Sequence, residues 1–214
     1  MIDKAFIDSH IDDLIDCVNK ASKEIINVYK SDDFGQIEKS DGSPLTIADK
    51  NANQVILDEL KLISSDISII SEETFENNLL KNLDKTYWLV DPLDGTKEFI
   101  NKTDEFTVNI ALINNKQAIF GIVAAPVSGK IWHGSIFDKN KTEEESVDKI
   151  RIVMSKSHKS ENDRAFLEFI DSKNINYEII EKGSSLKLCS LADNEADIYP
   201  CLLYTSPSPR DYPG

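Results

Sequence analysis

The spacing of apolar residues predicts a helical start to the chain. Across residues 2–29 these residues recur every three or four positions, so we expect one long amphipathic helix or two abutting ones. The polar stretch 31–43 predicts a loop or an irregular hairpin. A second helix is expected after Pro44, where Thr46 and Asp49 fit a capping box, with a hydroxyl at the N-cap and an acid three residues later. In that interpretation Asp49 is a helix cap.

Shorter apolar runs then predict a series of strands. The run that begins at Tyr87 is expected to stop at Pro92. Residues 114–116 predict a hairpin turn, and a second turn at 126–129 leads into the last of these runs. The predicted strands are 67–70, 87–91, 107–113, 117–125 and 130–136.

The pattern changes after an acidic stretch at 138–148, which is the predicted domain boundary. Strands and helices alternate beyond it, and such alternation suggests an α/β arrangement. We therefore predict an α+β domain over residues 1–145 and an α/β domain over 146–200. The elements predicted in the second domain are strands at 150–154, 177–180 and 196–199 and helices at 161–172 and 185–192.

Charge restricts the kinds of partner. The 214 residues include 38 acidic and 24 basic side chains, for a net charge of -14. A general nucleic-acid binder needs a basic footprint, which argues against that class of partner. A small anionic substrate remains compatible, provided that cations lie between the carboxylates and a phosphate.

Cysteine usage and the lengths of the apolar runs bear on location. The three cysteines are far apart in the sequence and form no CxxC pair, so neither a disulfide framework nor a zinc site is predicted. The sequence has neither a signal-peptide pattern nor an apolar run of membrane-spanning length. These features predict a soluble cytoplasmic protein, with peripheral attachment to the inner membrane left open.

Candidate chemistry lies at two strand ends. Glu72 follows one predicted strand, and Asp91 and Asp94 follow the next. If the strands are neighbours, these carboxylates converge, and they repel one another unless hard cations such as Mg²⁺ lie between them. Carboxylate-rich metal pairs serve the attack of water on a phosphoryl group. Gly95 permits close backbone approach, and residues 96–100 would begin a short helix whose amides face a phosphate.

Two other interpretations of this region compete. Asp-Pro and Asp-Gly pairs often mark turns, and Glu72 and Glu73 would then be solvated loop acids. The second alternative is a haloacid-dehalogenase-type phosphatase, whose Asp-x-Asp-Gly-Thr motif uses the first aspartate as nucleophile. Here two residues, Pro92 and Leu93, separate the aspartates instead of one. That spacing disfavours a phospho-aspartyl mechanism.

The motifs resemble a known family. Residues 71–73 (Ser-Glu-Glu) and 91–96 (Asp-Pro-Leu-Asp-Gly-Thr) resemble the magnesium-dependent inositol monophosphatase superfamily. Other segments are similar to its 3'(2'),5'-bisphosphate nucleotidase branch, and the resemblance spans about residues 11–200. It implies a layered αβαβα sugar-phosphatase-like fold, with the second domain incomplete. The other matching segments are 41–49, 97–100, 105–112, 155–158 and 183–187.

The resemblance also implies a catalytic pair and a metal site. Asp49 and Thr96 would orient and deprotonate the attacking water, so Asp49 would be catalytic as well as a helix cap. Two or three Mg²⁺ ions would be bound nearby, with Asp91 bridging two of them. The implied metal ligands are Glu72, Asp91, the backbone carbonyl of Leu93, and Asp94.

Substrate binding would extend from the metal ligands to the second domain. Those four residues, together with Gly95 and Thr96, would meet the phosphate. The nucleotide portion would be held by a further set. On its own His158 is better explained as a surface histidine, and the Ser-Lys-Ser-His context favours a binding role. The further set is Ser155, His158, Gly183 and Lys187.

The implied activity is hydrolysis of the 3'-phosphate of adenosine 3',5'-bisphosphate by metal-activated water, giving AMP and phosphate. One alternative is an inositol-phosphate or other sugar-phosphate phosphatase of the same superfamily, against which Lys97 and Glu98 favour the nucleotidase branch. The other is a non-catalytic phosphonucleotide-binding relative, against which the presence of Asp49 and Thr96 argues. The sequence predicts no oligomeric state.

Residues 201–214 depart from the family pattern. After Pro200 the family continues with a Trp-Asp motif whose aspartate is a further metal ligand, and this sequence has no such motif there. Residues 201–211 read as the translation of a transposase-type sequencing-library adapter. We therefore expect 201–214 to be a non-native tail that resequencing of the 3' end of the gene does not recover. We also expect the 214-residue polypeptide to have weak or no activity, although its full-length parent should be active.

Overall fold

The computed structural model describes residues 2–31, 34–38, 44–74, 85–138, 149–156 and 161–201. These residues belong to two units, Met1–Thr142 and Glu143–Gly214. Helices layered on a mixed sheet in the first unit, and helices with a small parallel sheet in the second, give the α+β fold that the sequence predicts. Residues 202–214 of the predicted tail lie outside the described residues.

Two helices form one layer of the first unit. The helix α1 (Lys4–Tyr29) is a single helix of 26 residues, which decides between one helix and two. It packs against α2 (Ile47–Ile63). Between them, the short strand β1 (Ile37–Glu38) pairs antiparallel with β2 (Pro44–Leu45). The hairpin alternative for this stretch is therefore confirmed.

The second layer is a five-stranded mixed sheet. Its strands, in spatial order, are β3 (Ser68–Ser71), β4 (Thr86–Asp94), β5 (Thr107–Asn114), β6 (Gln117–Ala125) and β7 (Lys130–Ser135). The strands β3 and β4 are parallel, and the other neighbours are antiparallel. The predicted β5–β6 hairpin is confirmed, and Asn115 and Lys116 in its turn have φ of 49° and 67°, as tight hairpin turns require.

The strand β4 corrects one expectation. The sequence predicts a strand that stops at Pro92, but β4 continues through this proline to Asp94. Its pairing with β5 shifts register between Asp91, which lies opposite Asn109, and Asp94, which lies opposite Thr107. Proline is tolerated at such a bulge because the ladder does not need its missing N–H there. One strand therefore carries both aspartates, and the short helix α3 (Thr96–Ile100) follows it.

One face of the sheet packs against the helix layer. The helix α1 contacts β5 and β6, and α2 contacts β3 and β4. Trp88 is fully buried and donates its Nε1–H to Ser64 Oγ at 2.9 Å, which satisfies the indole nitrogen. Leu89, the next residue, faces the opposite side of the sheet and is 44% exposed. The packing of Trp88 fixes β4 against the end of α2.

In the second unit, strands alternate with helices. The strand β8 (Ile150–Ser155) leads to α4 (Glu161–Ser172), and β9 (Tyr177–Lys182) leads to α5 (Leu186–Ala192). The two strands pair in parallel, as the alternating pattern suggests. None of the described helices in either unit has the length and apolarity of a membrane span.

The strand predicted at 196–199 is wrong. In that segment Ile198 forms a single parallel bridge with Ile152. The backbone N–H of Arg151 donates to the Asp197 side chain, to Oδ2 at 2.7 Å, instead of to a backbone carbonyl. The same carboxylate accepts from Arg151 Nη2 at 2.6 Å. Because a side chain takes the strand's donor, the backbone ladder does not extend.

Candidate active site

The end of β3 and the bulge of β4 bring two acidic positions together. The strands are parallel and Ser71 pairs with Val90, so Glu72, directly after β3, lies next to the position of Asp91 within β4. Glu72 begins a short 3-10 turn, Glu72–Thr74. The sequence predicts that the carboxylates converge if the two strands are neighbours, and β3 and β4 are neighbours.

A buried hydrogen bond anchors this turn to α2. Ser71 Oγ donates to Asn53 Oδ1 at 2.5 Å, and the backbone N–H of Glu73 donates to Ser71 Oγ at 3.3 Å. Both Ser71 and Asn53 are buried. Sequence reasoning missed Asn53. The sequence feature that could have indicated Asn53 is its position four residues after Asp49, which places both on the same face of the helix.

Asp91 lies in an unfavourable environment for a negative charge. Its Oδ1 is buried and has no hydrogen-bond partner among the described residues. Burial raises the pKa of Asp91 far above its usual range, and the negative charges of Asp94 and Glu72 raise it further. A buried carboxylate oxygen without a partner, beside two other carboxylates, fits a bound cation.

The acidic side chains do not form a ready-made metal cage. Within the described ranges, no group of three or more His, Cys, Asp and Glu side chains is arranged to hold a metal ion. Glu72, Asp91 and Asp94 nevertheless interact through their charges, and a side-chain hydrogen bond joins Asp91 to Glu72. Carboxylate and carbonyl oxygens are the donors that hard cations prefer. The donor set therefore fits such a cation, and the assignment of its individual ligands stays a prediction.

The structure brings together the two residues predicted to activate water. Thr96 Oγ1 lies 3.3 Å from Asp49 Oδ1 and 3.2 Å from the carbonyl oxygen of Leu93, and it can donate to either. The other carboxylate oxygen, Asp49 Oδ2, accepts from Thr46, from the backbone N–H at 2.7 Å and from Oγ1 at 2.6 Å. The capping box is confirmed. One oxygen of Asp49 caps α2, and the other is directed to Thr96.

Burial changes the proton affinity of Asp49. The residue is 1% exposed, and burial raises the pKa of its carboxyl while the hydrogen bonds from Thr46 and Thr96 lower it. The net direction is upward. A carboxylate with a raised pKa accepts a proton more readily near neutral pH, which suits a general base.

Gly95 makes the turn that places Thr96. It has φ of 88° and ψ of 40°, in the left-handed region where a residue with a Cβ is strained. The helix α3 (Thr96–Ile100) begins there, and the backbone N–H of Phe99 donates to the Gly95 carbonyl at 2.8 Å. The short helix predicted at this position is confirmed. That its first amides meet a phosphate stays a prediction.

The residues predicted to hold the nucleotide belong to the second unit. Ser155 ends β8 and pairs with Lys182 in β9, so Gly183 follows at the same edge of this small sheet. In α5, Lys187 donates from Nζ to the Ser184 carbonyl at 2.5 Å. The fourth residue, His158, lies outside the described residues.

The chain matches the inositol monophosphatase family over residues 9–207. It therefore belongs to the inositol monophosphatase family, and the resemblance drawn from its motifs is confirmed.

Relatives with a more specific name lie within this family. The 3'(2'),5'-bisphosphate nucleotidase CysQ of Escherichia coli O6:H1 (strain CFT073) is 35% identical over 199 residues, which cover 89% of this chain and 79% of the relative. The enzyme of that name from Buchnera aphidicola subsp. Acyrthosiphon pisum is 39% identical over 202 residues, 89% of this chain and 74% of the relative. The crystal structure of CysQ from Bacteroides thetaiotaomicron superposes with a TM-score of 0.75 at 32% identity, covering 90% of this chain and 79% of that one.

Proposed function

We propose that this protein is a magnesium-dependent phosphatase that removes the 3'-phosphate from adenosine 3',5'-bisphosphate. The observation that carries the chemistry is the 3.3 Å contact between Thr96 Oγ1 and Asp49 Oδ1, located where β4 delivers its aspartates. The choice of substrate rests on similarity to relatives named 3'(2'),5'-bisphosphate nucleotidase, 35% and 39% identical to this chain.

The acidic strand ends would hold the magnesium ions. Glu72, Asp91, Asp94 and the carbonyl oxygen of Leu93 are the proposed ligands, and the unpartnered, buried Oδ1 of Asp91 supports that assignment. When bound, Mg²⁺ offsets the negative charge of both protein and phosphate and lowers the pKa of water.

Asp49 and Thr96 would move one proton in the reaction. Thr96 Oγ1 takes a proton from the attacking water as it passes its own proton to Asp49 Oδ1. The water oxygen forms a new bond to phosphorus, and the bond between phosphorus and the ribose 3' oxygen breaks. The 3' oxygen leaves with the bonding electron pair and takes a proton from solvent. The products are AMP and inorganic phosphate, and no covalent intermediate with the protein forms.

The nucleotide portion would be held by Ser155, His158, Gly183 and Lys187. Lys187 offers a cation for the second phosphate, and its Nζ lies 5.9 Å from the centroid of the Tyr199 ring. The placement of Ser155 and Gly183 at one edge of the β8–β9 sheet supports a shared role.

A side-by-side assay tests this proposal. The protein expressed from its gene is given adenosine 3',5'-bisphosphate or inositol 1-phosphate with MgCl₂, and phosphate release is measured. We expect kcat/KM to be at least about tenfold higher for the bisphosphate, a difference of about 1.4 kcal/mol in transition-state binding. EDTA should abolish the activity.

Three results would contradict the proposal. A preference for inositol 1-phosphate would instead support the alternative function, an inositol-phosphate or other sugar-phosphate phosphatase. Binding of the bisphosphate without turnover would make it a non-catalytic relative. Full activity in EDTA would remove the role of magnesium.

A further inference from the structure

The loop that follows α3 contains two residues in an unfavourable backbone conformation. Lys102 and Asp104 have φ of 57° and 65°, in the left-handed region that residues other than glycine rarely adopt. Such strain persists only where surrounding contacts hold it, and it concentrates at functional sites. The loop lies directly after the helix that carries Thr96.

The end of α1 holds this loop. Tyr29, the last residue of α1, donates its hydroxyl to Asp104 Oδ1 at 2.6 Å. Lys102 Nζ donates to the backbone carbonyl of Tyr29. That carbonyl belongs to the last turn of α1, whose carbonyls have no partner within the helix and attract a cation. Both left-handed residues are therefore bound to Tyr29.

Lys102 also lies over a cluster of aromatic rings. We call Tyr29, Phe34, Phe99 and Phe106 the aromatic clamp. The ring of Phe99, fully buried in α3, lies 5.1 Å from Tyr29, 5.2 Å from Phe34 and 5.2 Å from Phe106, centroid to centroid. Lys102 Nζ is 4.2 Å from the Tyr29 centroid and 4.5 Å from that of Phe34, within the range of cation–π attraction.

The aromatic clamp is joined to the start of α2 as well as to α3. The carbonyl oxygen of Phe34 accepts from the backbone N–H of Ile47, the first residue of α2, at 2.9 Å. At Gly35 an added Cβ would overlap the side chain of Ile47, so the two segments are in close contact. Phe34 thus touches the helix turn that carries Asp49 and the ring of α3 one turn beyond Thr96.

We propose that Lys102 is a positioning residue that holds α3 against the start of α2 and so sets the contact between Thr96 and Asp49. It acts through Phe34 and Phe99, by drawing the two rings and the end of α1 together. The inference rests on the proposed function, because the contact it sets is the proposed water-activating pair.

The test compares Lys102→Met, which keeps the length of the side chain but not its charge, with Lys102→Arg, which keeps the charge. Lys116→Met is the matched control, because Lys116 is also exposed and left-handed but lies in the β5–β6 turn. With adenosine 3',5'-bisphosphate and MgCl₂, we expect Lys102→Met to lower kcat about tenfold and to change KM by less than about twofold. Lys102→Arg should recover at least half of kcat, and Lys116→Met should match the parent protein.

A second readout does not depend on activity. Amide hydrogen exchange should be faster at Phe99 and Ile47 in Lys102→Met than in the parent, and unchanged in Lys116→Met. Parent-like kcat in Lys102→Met would overturn the inference, and so would parent-like exchange at both amides. If the parent protein releases no phosphate from any substrate, the proposed function fails, while the exchange result still decides whether Lys102 holds the clamp.

Discussion

The first turn of α2 and the bulge of β4 each hold an aspartate with a buried oxygen, and the two aspartates have different neighbours. Asp49 is met by neutral donors, with Thr46 on one oxygen and Thr96 on the other. Asp91 lies beside the charges of Asp94 and Glu72, and its carboxyl is hydrogen-bonded to the Leu93 backbone and to Glu72. Its Oδ1 has no partner within the described part of the chain.

Because both residues are aspartates, their type alone does not distinguish their roles. Their neighbours do, by favouring proton exchange at Asp49 and cation binding at Asp91. A carboxylate stabilised by neutral hydrogen bonds needs no cation and is free to exchange a proton with its donor. A carboxylate beside like charges, with an unsatisfied oxygen, gains stability from a cation. The predictions below test whether the two aspartates separate in this way.

The largest effect is expected from Asp91→Asn. An amide supplies no negative charge to the proposed metal site, so we expect kcat to fall by at least about 10³-fold and Mg²⁺ binding to weaken strongly. Phosphate release and isothermal titration with MgCl₂ measure the two effects. Asp66→Asn, at an exposed turn of the first unit, is the control and should match the parent. Undiminished turnover in Asp91→Asn would reject the metal assignment.

A smaller loss is expected from Thr96→Val, which keeps the shape of the side chain and removes its hydroxyl. Without Oγ1 the proton path to Asp49 is broken, and we expect kcat to fall about 10²-fold, a typical contribution of general acid–base catalysis. Mg²⁺ affinity should stay within about twofold of the parent value, because Thr96 is not a proposed ligand. Thr96→Ser should retain most of the activity. A large loss of Mg²⁺ affinity in Thr96→Val would show that Thr96 also supports metal binding. Metal binding and proton transfer would then not be separate roles.

The pH dependence of stability should report the buried charge of Asp91 without any substrate. The pKa of Asp91 is raised in the folded protein above its ordinary 3.8, so the folded state binds its proton more tightly than the unfolded state. In EDTA, the contribution of Asp91 to the free energy of unfolding should therefore be fully present below about pH 4. It should be lost as the pH rises through the folded-state pKa of about 8, by at least about 1.4 kcal/mol in total. Urea unfolding measures it, and Asp91→Asn should flatten the slope. An equal slope in the variant would show that Asp91 is not its source.

The smallest effect is expected from Thr46→Ala, which removes the N-cap hydroxyl of α2. Loss of a cap costs about 1 kcal/mol of stability, and urea unfolding should show it. Thr46→Ser keeps the hydroxyl and should retain the parent stability. If Thr46→Ala unfolds like the parent, the capping bonds contribute little, and Asp49 is held by other contacts.

Local sequence rules predict much of this fold but not its details at the site. Helical spacing predicts α1 and α2, and the capping box predicts the start of α2 at the correct residue. The continuation of β4 through Pro92 was not predictable from the strand pattern, because the bulge depends on the register with β5. The segment 196–199 fails for a similar reason, since the Asp197 side chain takes the Arg151 amide that a strand would use.

The candidate site was also predictable only in part from the sequence. Acidic residues at strand ends predict a carboxylate cluster, but they do not say that the strands pair in parallel and bring Glu72 beside Asp91. The contact between Asp49 and Thr96 joins residues 47 positions apart, and only the family resemblance pairs them in the sequence. The hydrogen bond from Ser71 to Asn53 likewise depends on tertiary packing.

The most direct test of the central claim is the rate of phosphate release by Asp49→Asn. The amide oxygen can still cap α2, so the account predicts a folded protein that binds Mg²⁺ and adenosine 3',5'-bisphosphate within about twofold of the parent. Because the amide cannot accept the proton from Thr96, kcat should be lower by at least about 10²-fold. Release of phosphate by Asp49→Asn at the parent rate would contradict the account.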